Sequence, residues 1–566
     1  MRILGEKKVT YADKPWLKSY KIGPFPLKKT MQPYPEINIY QFLVDSATKY
    51  PDNIATKYLG DEMTYKELKL KIDKLASALV DFGVRKGIMV ASVLPSCPEF
   101  ILIHFAALKL GAIHVPLSIL HDKVDLEYEL KESGAEVVLC SYRRLERVNE
   151  VKPNTNLKTV IYTPIKLFPD YKLPDMKKLT EHGYYLLDDL LEKYKPHTET
   201  VNINPKEDLA LLPFTGGTTG LPKATMLTHF NITSNVIQLF HWMMDPLKSG
   251  IIGKAAVTIC VPLFHAYGQI SMHVCVSWGL KMLLMDPRDM LKIAEVIKEI
   301  RPFMVLGVPT HYMYLLKLDL PKAPIFYISG AAPLAPELAD KFSKKTGVPM
   351  SEGYGATETS ASSHINLSSM SKVTGFMAAT KPGVGVPIAD TEVKLVSPDT
   401  GEEVPFGEAG EVWIRGPQVM KGYWPTPGKG LTEDGWLQMG DIGIMDNDGF
   451  FRIVDRIKDM INVSGNKVYS RVIDDILHEH EAIDEAGVIG IPDIERPGSE
   501  RVKAFVQLKK PFKGKVSELD IIEFLKDKVK PYALPKEVEF RDSLPLTMVM
   551  KLNKKKLRDE EAAKRK

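Results

Sequence analysis

The stretch that most constrains this chain is Phe214-Thr-Gly-Gly-Thr-Thr-Gly-Leu-Pro-Lys223. It holds three glycines, three threonines and one lysine, and it follows the apolar run Leu209-Ala-Leu-Leu212, which suits a buried strand. Glycines let backbone N–H groups turn toward an anion, threonine hydroxyls add donors, and Lys223 adds charge. Such a stretch is either a phosphate cradle or a polar turn, the commoner meaning of a Gly/Thr cluster. It is not an ordinary P-loop. There the lysine directly follows the last glycine, whereas here Leu221 and Pro222 separate Gly220 from Lys223.

On either side of this stretch, short apolar runs alternate with helical patterns. Strands are expected at Met89–Leu94, Ala112–Pro116, Glu136–Cys140, Thr159–Tyr162, Ala256–Val261, Phe303–Val308 and Ile325–Ser329. Helices are expected at Glu99–Leu110, Leu227–Met244 and Met290–Ile300, and the whole stretch from Asn38 to Gly87 reads as helical. This alternation predicts parallel sheets covered by helices. Residues 1–36, dotted with prolines, are expected to wrap the surface as an irregular arm. From Thr391 the texture changes to short strands with glycine turns, as a small β-barrel or sheet would require. After the charged segment Asp455–Asp459, a compact α+β unit is expected, ending in a solvated basic helix. The length of 566 residues suits two to four such units.

Composition excludes several classes. A net charge of +4, spread along the chain, gives no nucleic-acid surface. Cys97, Cys140, Cys260 and Cys275 lie too far apart for a disulfide framework or zinc site, so a reducing compartment is expected. Charged residues precede any apolar run at the N-terminus, against a secretory signal. Phe100–Leu120 and Ala255–Met285 are apolar but interrupted by lysine, glycine and proline, and read as core rather than as membrane spans. A cytoplasmic location is expected.

Five further segments carry chemistry. In Pro262-Leu-Phe-His-Ala-Tyr-Gly268, His265 would ordinarily be a satisfied core residue. Ser329-Gly-Ala-Ala-Pro-Leu334 ends a strand and opens a helix near Ala335; Gly330, Ala331 and Ala332 are small enough to admit a flat ring, and Pro333 suits the turn. Locally it also reads as a plain strand-to-helix turn. In Glu352-Gly-Tyr-Gly-Ala-Thr-Glu358, Tyr354 between Gly353 and Gly355 offers a ring face to stack a base. Thr357 there can bond a phosphate oxygen, and Glu358 supplies a hard ligand suited to Mg²⁺. Asp441, after a glycine turn, could accept both hydrogen bonds of a ribose diol, or be a turn aspartate. Asp455-Arg-Ile-Lys-Asp459 reads as a solvated linker.

Taken in order, the loop, the Tyr-Gly-x-Thr-Glu segment, Asp441, Arg456 and the near-terminal Leu544-Pro-Leu-Thr-Met-Val-Met-Lys551 resemble the motifs of the adenylate-forming superfamily. That superfamily comprises acyl-CoA synthetases, luciferases and peptide-synthetase adenylation domains, and the resemblance spans about Asn38 to Leu557. It implies a large N-terminal domain over 1–454, made of two α/β parallel-sheet subdomains and a small β-barrel. A hinge at 455–459 and a mobile α+β domain over 460–566 would follow. It assigns the phosphates to Thr215, Gly216, Gly217, Thr218, Thr219, Gly220 and Lys223, and Mg²⁺ to Glu358 with Thr215. By the same resemblance Gly330–Pro333 form a wall of the adenine site, Tyr354 stacks the adenine, Thr357 meets the α-phosphate, and Asp441 holds the ribose.

Arg456 would contact ribose and phosphate, Lys458 would be the pivot, and Gly465 would border the pantetheine tunnel. His265 would border the acyl pocket, and Lys551 would be the mobile catalytic lysine. The chain departs from the family pattern at Met550, where glycine is usual, and at Met439, where threonine is usual. The double glycine of the loop, Pro15-Trp-Leu-Lys-Ser-Tyr20 and Tyr171–Asp175 resemble the fatty acyl-CoA synthetases. ATP, Mg²⁺, coenzyme A and a fatty acid are therefore the implied ligands. An aryl acid, a carrier-protein acceptor, or a non-catalytic acyl-nucleotide sensor remain open, as do monomer or homodimer and peripheral membrane contact.

Overall fold

The structure is a computed structural model and describes residues 9–166, 183–216, 221–244, 248–370, 381–546 and 552–564. Its framework is a pair of nine-stranded sheets, each with a parallel centre. In the first, Met89–Val93, Ile113–Leu117, Val137–Ser141 and Thr159–Thr163 run parallel and every one of their residues is buried. Strands covered on both faces must be apolar throughout, which is why they stand out as continuous runs. Leu209–Leu211 joins the parallel set through Ile113–Leu117, and Lys223–Thr228 then pairs antiparallel with it. In the second sheet, Ile54–Tyr58, Lys281–Leu284, Ala256–Ile259, Met304–Gly307, Phe326–Ser329 and Ser351–Tyr354 are parallel neighbours.

Two expectations are corrected. The stretch from Asn38 to Gly87 is not helical throughout: the hairpin Ile54–Tyr58/Asp61–Thr64 separates the helices Tyr40–Lys49 and Tyr65–Asp81. Leu59 and Gly60 both adopt positive φ at its turn, and Thr64 then caps the second helix by accepting from the Glu67 N–H. The helix expected from Leu227 begins at His229, because Leu227 and Thr228 complete the strand that returns from the glycine-rich stretch.

The N-terminal arm is irregular as expected, with short 3₁₀ turns and a two-residue hairpin. It is anchored rather than merely draped. Trp16 is buried edge-on to Phe451, and the Tyr20 hydroxyl donates to the Pro387 carbonyl at 2.7 Å.

The strands beyond Thr391 form a four-stranded antiparallel sheet, Glu392–Val396, Ala409–Arg415, Leu437–Met445 and Phe451–Arg456. No ladder joins its outer strands among the described residues. Beyond it, Ile483–Pro492, Glu500–Leu508 and Glu537–Phe540 make a three-stranded sheet. This sheet packs with the helices Ser470–His478 and Glu518–Lys526 around a hydrophobic cluster of its own. The terminal helix Lys554–Lys564 is not simply solvated. Leu557 is fully buried, and buried Glu561 pairs with Lys503 at 2.9 Å.

Candidate active site

The carboxyl ends of both parallel sheets open onto one cavity of about 1360 Å³. Ser96, Ile119, Arg143 and Ile165 enter it just beyond strands of the first sheet. Val261, Met285, Val308, Gly330 and Gly355 do so beyond strands of the second. Ligands of open α/β sheets bind at such carboxyl ends, where loops are free to carry function.

Most of the residues singled out by sequence meet here. Thr215, Gly216, Lys223, His265, Gly330, Ala331, Gly353, Tyr354, Gly355, Thr357, Glu358, Asp441, Arg456 and Lys458 all line the cavity. Ala332, Pro333 and Gly465 do not; Pro333 and Gly465 are exposed. Gly217, Thr218, Thr219, Gly220 and Lys551 lie outside the described residues, as does the Tyr171–Asp175 stretch. The flanks of the glycine-rich stretch close on each other: Thr215 pairs with Lys223 across an antiparallel ladder, and the Thr215 hydroxyl donates to the Lys223 carbonyl at 3.3 Å.

One wall is polar and tightly tied. Asp441 is buried, accepting from the Tyr354 hydroxyl at 2.8 Å on one oxygen and from Arg456 Nε at 3.0 Å on the other. The ladder that pairs Asp441 with Arg456 fixes the second contact. Burial, then the charge of Asp441, pushes the Tyr354 phenol far above its ordinary range, so the hydroxyl stays a donor. Burial and the neighbouring Arg456 push the Lys458 ammonium down. Gly355 is obligatory, since a Cβ there would lie 2.1 Å from the Ala361 carbonyl oxygen. Glu358 accepts from the Tyr423 hydroxyl at 2.7 Å, and Lys223 sits over the same ring at 5.1 Å. Tyr423 reaches this position because Gly422–Tyr423 pairs with Lys223–Thr228.

A second wall begins at His265, the N-cap of the helix Ala266–Ser277. That helix directs its N-terminal end, with its partial positive charge, into the cavity. Tyr267 ties the helix to the facing segment: its hydroxyl donates to the Ile328 carbonyl at 3.1 Å, and a Cβ on Gly330 would meet its ring at 3.1 Å.

Sequence reasoning passed over Tyr423, Asn553 and Lys555 and gave Tyr267 no role of its own; all four line the cavity. It also passed over Glu352, which lies behind the adenine-type segment and accepts the Leu334 N–H at 3.1 Å. Burial pushes the Glu352 carboxyl up from 4.5 to about 7, against the pull of Arg471. The folded state therefore holds this proton more tightly than the unfolded chain does. Ionising it costs stability increasingly as pH rises from 4.5 to about 7, up to about 3 kcal/mol, and below that window the cost vanishes. Glu352→Gln keeps the acceptor and removes the charge. Its melting temperature relative to the parent protein should therefore rise between pH ~5 and pH ~8; an unchanged gap would show that Glu352 is not ionising in place.

Two family models match the chain. The model described as AMP-binding enzyme matches residues 43–424, and that of the AMP-binding enzyme C-terminal domain matches residues 472–551. The chain belongs to the AMP-binding enzyme family. Among curated relatives, this AMP-binding enzyme is 35% identical to a long-chain-fatty-acid–CoA ligase of Bacillus subtilis (strain 168), over 97% of this chain and 98% of that one. Among solved structures it is similar to ATP-bound MatB from Rhodopseudomonas palustris, with TM-score 0.81 and 25% identity over 94% of this chain and all of that one. The apo form of MatB aligns with TM-score 0.71 at 26% identity, with the same coverage of each chain. No helix among the described residues of the AMP-binding enzyme is long and apolar enough to cross a membrane.

Proposed function

We propose that this AMP-binding enzyme is an AMP-forming acyl-CoA ligase for long-chain fatty acids. The carrying observation is that one cavity joins the Tyr354–Asp441–Arg456 wall to an apolar channel along the helix Ala266–Ser277. A nucleotide fits the first part and an alkyl chain the second. The extensive likeness to a long-chain-fatty-acid–CoA ligase supports the same substrates.

In the first half-reaction an acyl carboxylate oxygen attacks the α-phosphorus of ATP and pyrophosphate leaves. In the second, the coenzyme A thiol attacks the acyl carbonyl, losing its proton, and AMP leaves. The first step brings two anions together, so positioning and charge neutralisation dominate its barrier. In this reading Tyr354 stacks the adenine against Gly330 and Ala331, Asp441 holds the ribose, and Arg456 bridges ribose and phosphate. Thr357, Lys223 and the donors from Thr215 to Gly220 hold the phosphates. His265, at the helix N-cap, borders the acyl carboxylate as a positioning residue.

Glu358 and Thr215 offer hard oxygens on one cavity and fit Mg²⁺, which takes few protein ligands and completes its shell with phosphate oxygens and water. Among the described residues no group of three ligating side chains competes with them. When bound, the ion neutralises and orients the phosphates.

The division at 455–459 belongs to the same reading. The segment after it has its own hydrophobic cluster, and Lys458 as pivot would let that unit rotate between half-reactions, bringing Gly465 toward the pantetheine path. Four separate free cysteines suit a cytoplasmic, reducing location. The test is AMP release with coenzyme A, across acids from acetate to oleate plus 4-coumarate. An aliphatic optimum supports the reading. Turnover of 4-coumarate alone overturns the substrate, and no turnover despite ATP binding overturns the enzyme. Product only on a carrier protein would overturn free coenzyme A as acceptor.

A further inference from the structure

Resting on the fatty-acid reading, we infer that the helix Ala266–Ser277 is a chain-length ruler and that Trp278 is its end stop. His265, Tyr267, Ile270, Ser271, Val274 and Trp278 all line the cavity. Counted from Tyr267, the residues after the N-cap fall at i, i+3, i+4, i+7 and i+11, a single stripe on one helix face, so the lined face extends from the start of the helix to the residue just past its end. The facing wall is the second sheet: Val257 and Met304 are register partners and both line the cavity, as do Leu306 and Ile328 one row higher. The helix is the crossover between Ala256–Ile259 and Lys281–Leu284, and those strands are parallel. It therefore starts at the carboxyl edge of the sheet, beside the polar wall, and ends at the amino edge. A carboxylate at His265 has its tail directed toward Trp278.

The channel closes there. Tyr267 and Val274 keep part of their surface exposed, whereas Trp278 and Leu280 have none. Trp278 stands edge-on to Phe240, with ring centroids 5.0 Å apart. Gly279 fixes the chain just beyond it in a left-handed conformation, and a Cβ at that glycine would lie 2.4 Å from the Tyr50 ring. The stop is thus held by packing on both sides.

The thirteen-residue separation of His265 and Trp278 corresponds to about 20 Å at a rise of ~1.5 Å per residue. An extended alkyl chain advances about 1.25 Å per carbon, taking a ~1.5 Å bond near the tetrahedral angle, so the channel holds roughly 16 carbons. Val274 marks a point about two-thirds of the way down.

The experiment measures kcat/KM of the full-length enzyme for AMP release with coenzyme A on decanoate, palmitate and arachidate. The parent enzyme should favour palmitate and lose activity on arachidate. Trp278→Ala should raise the arachidate-to-decanoate ratio by about tenfold or more, since each methylene in an apolar pocket counts for about that factor. Because Trp278→Ala removes a large buried ring, Val274→Phe serves as the second variant. It narrows the channel instead of emptying it, and should cut palmitate by about tenfold while sparing decanoate. A profile unmoved in both variants, or all acids lowered alike, would overturn the ruler while leaving the ligase reading intact. A parent enzyme inert on every acid would sink the ligase reading itself, and the ruler with it.

Discussion

Asp441→Asn should raise the KM for ATP by about one to two orders of magnitude while the protein still folds. The carboxylate is buried and spends its two oxygens on Tyr354 and Arg456, both themselves cavity-lining. The amide is nearly isosteric, so packing is kept. It places either an N–H against the Arg456 guanidinium or an N–H against the Tyr354 hydroxyl, and it removes the charge that holds both. Hydrogen bonds to charged groups contribute about 1.5–3 kcal/mol each, and about 1.4 kcal/mol is a tenfold change in affinity. In the proposed reading the ribose diol loses its acceptor at the same time. The measurement is ATP–pyrophosphate exchange at varied ATP and varied acid, with circular dichroism as the check on folding. A rise confined to the acid KM would remove Asp441 from the nucleotide site.

What could be read from the sequence was what depends on near neighbours. The buried parallel strands are continuous apolar runs, and strands such as Val137–Ser141 lie within a residue of where those runs fall. The Gly353–Glu358 segment was legible because its chemistry is packed into a few positions. Failures came where a local pattern was ambiguous or the partner was remote. The hairpin Ile54–Thr64 hid between two amphipathic helices whose period runs up to it on both sides. Glu358 depends on Tyr423, sixty-five residues away, and Asp441 on Tyr354, eighty-seven away; neither tyrosine's hydroxyl announces its partner. Trp278 reads as one more core aromatic until the helix before it is seen to carry a lined stripe. The glycines divide in the same way. Gly355 sits in a motif, but the carbonyl of Ala361 that forbids a side chain there appears only in three dimensions.

Lys551→Ala should abolish formation of the acyl adenylate, by about a thousandfold or more, yet spare thioester formation from supplied acyl-AMP and coenzyme A. The lysine itself lies outside the described residues, but its surroundings are defined. Leu546 and Leu552 bridge across it, the Asn553 N–H donates to the Pro545 carbonyl at 2.8 Å, and Asn553 and Lys555 both line the cavity. The residues just after Lys551 thus stand at the site. A lysine suits the proposed role because it is a compact charge on a flexible stem, able to reach a carboxylate and an α-phosphate brought close together. The second half-reaction joins a thiol to an activated acyl group and leaves AMP. It has no need of a charge between carboxylate and phosphate, so the two halves should separate in this variant. Lys555→Ala is the control, since it removes a neighbouring cation without touching Lys551. If charge alone mattered, both variants would slow adenylation to a similar degree. If position matters, only Lys551→Ala removes it. Equal loss of both half-reactions in Lys551→Ala would sink the assignment and point instead to a collapse of the C-terminal unit.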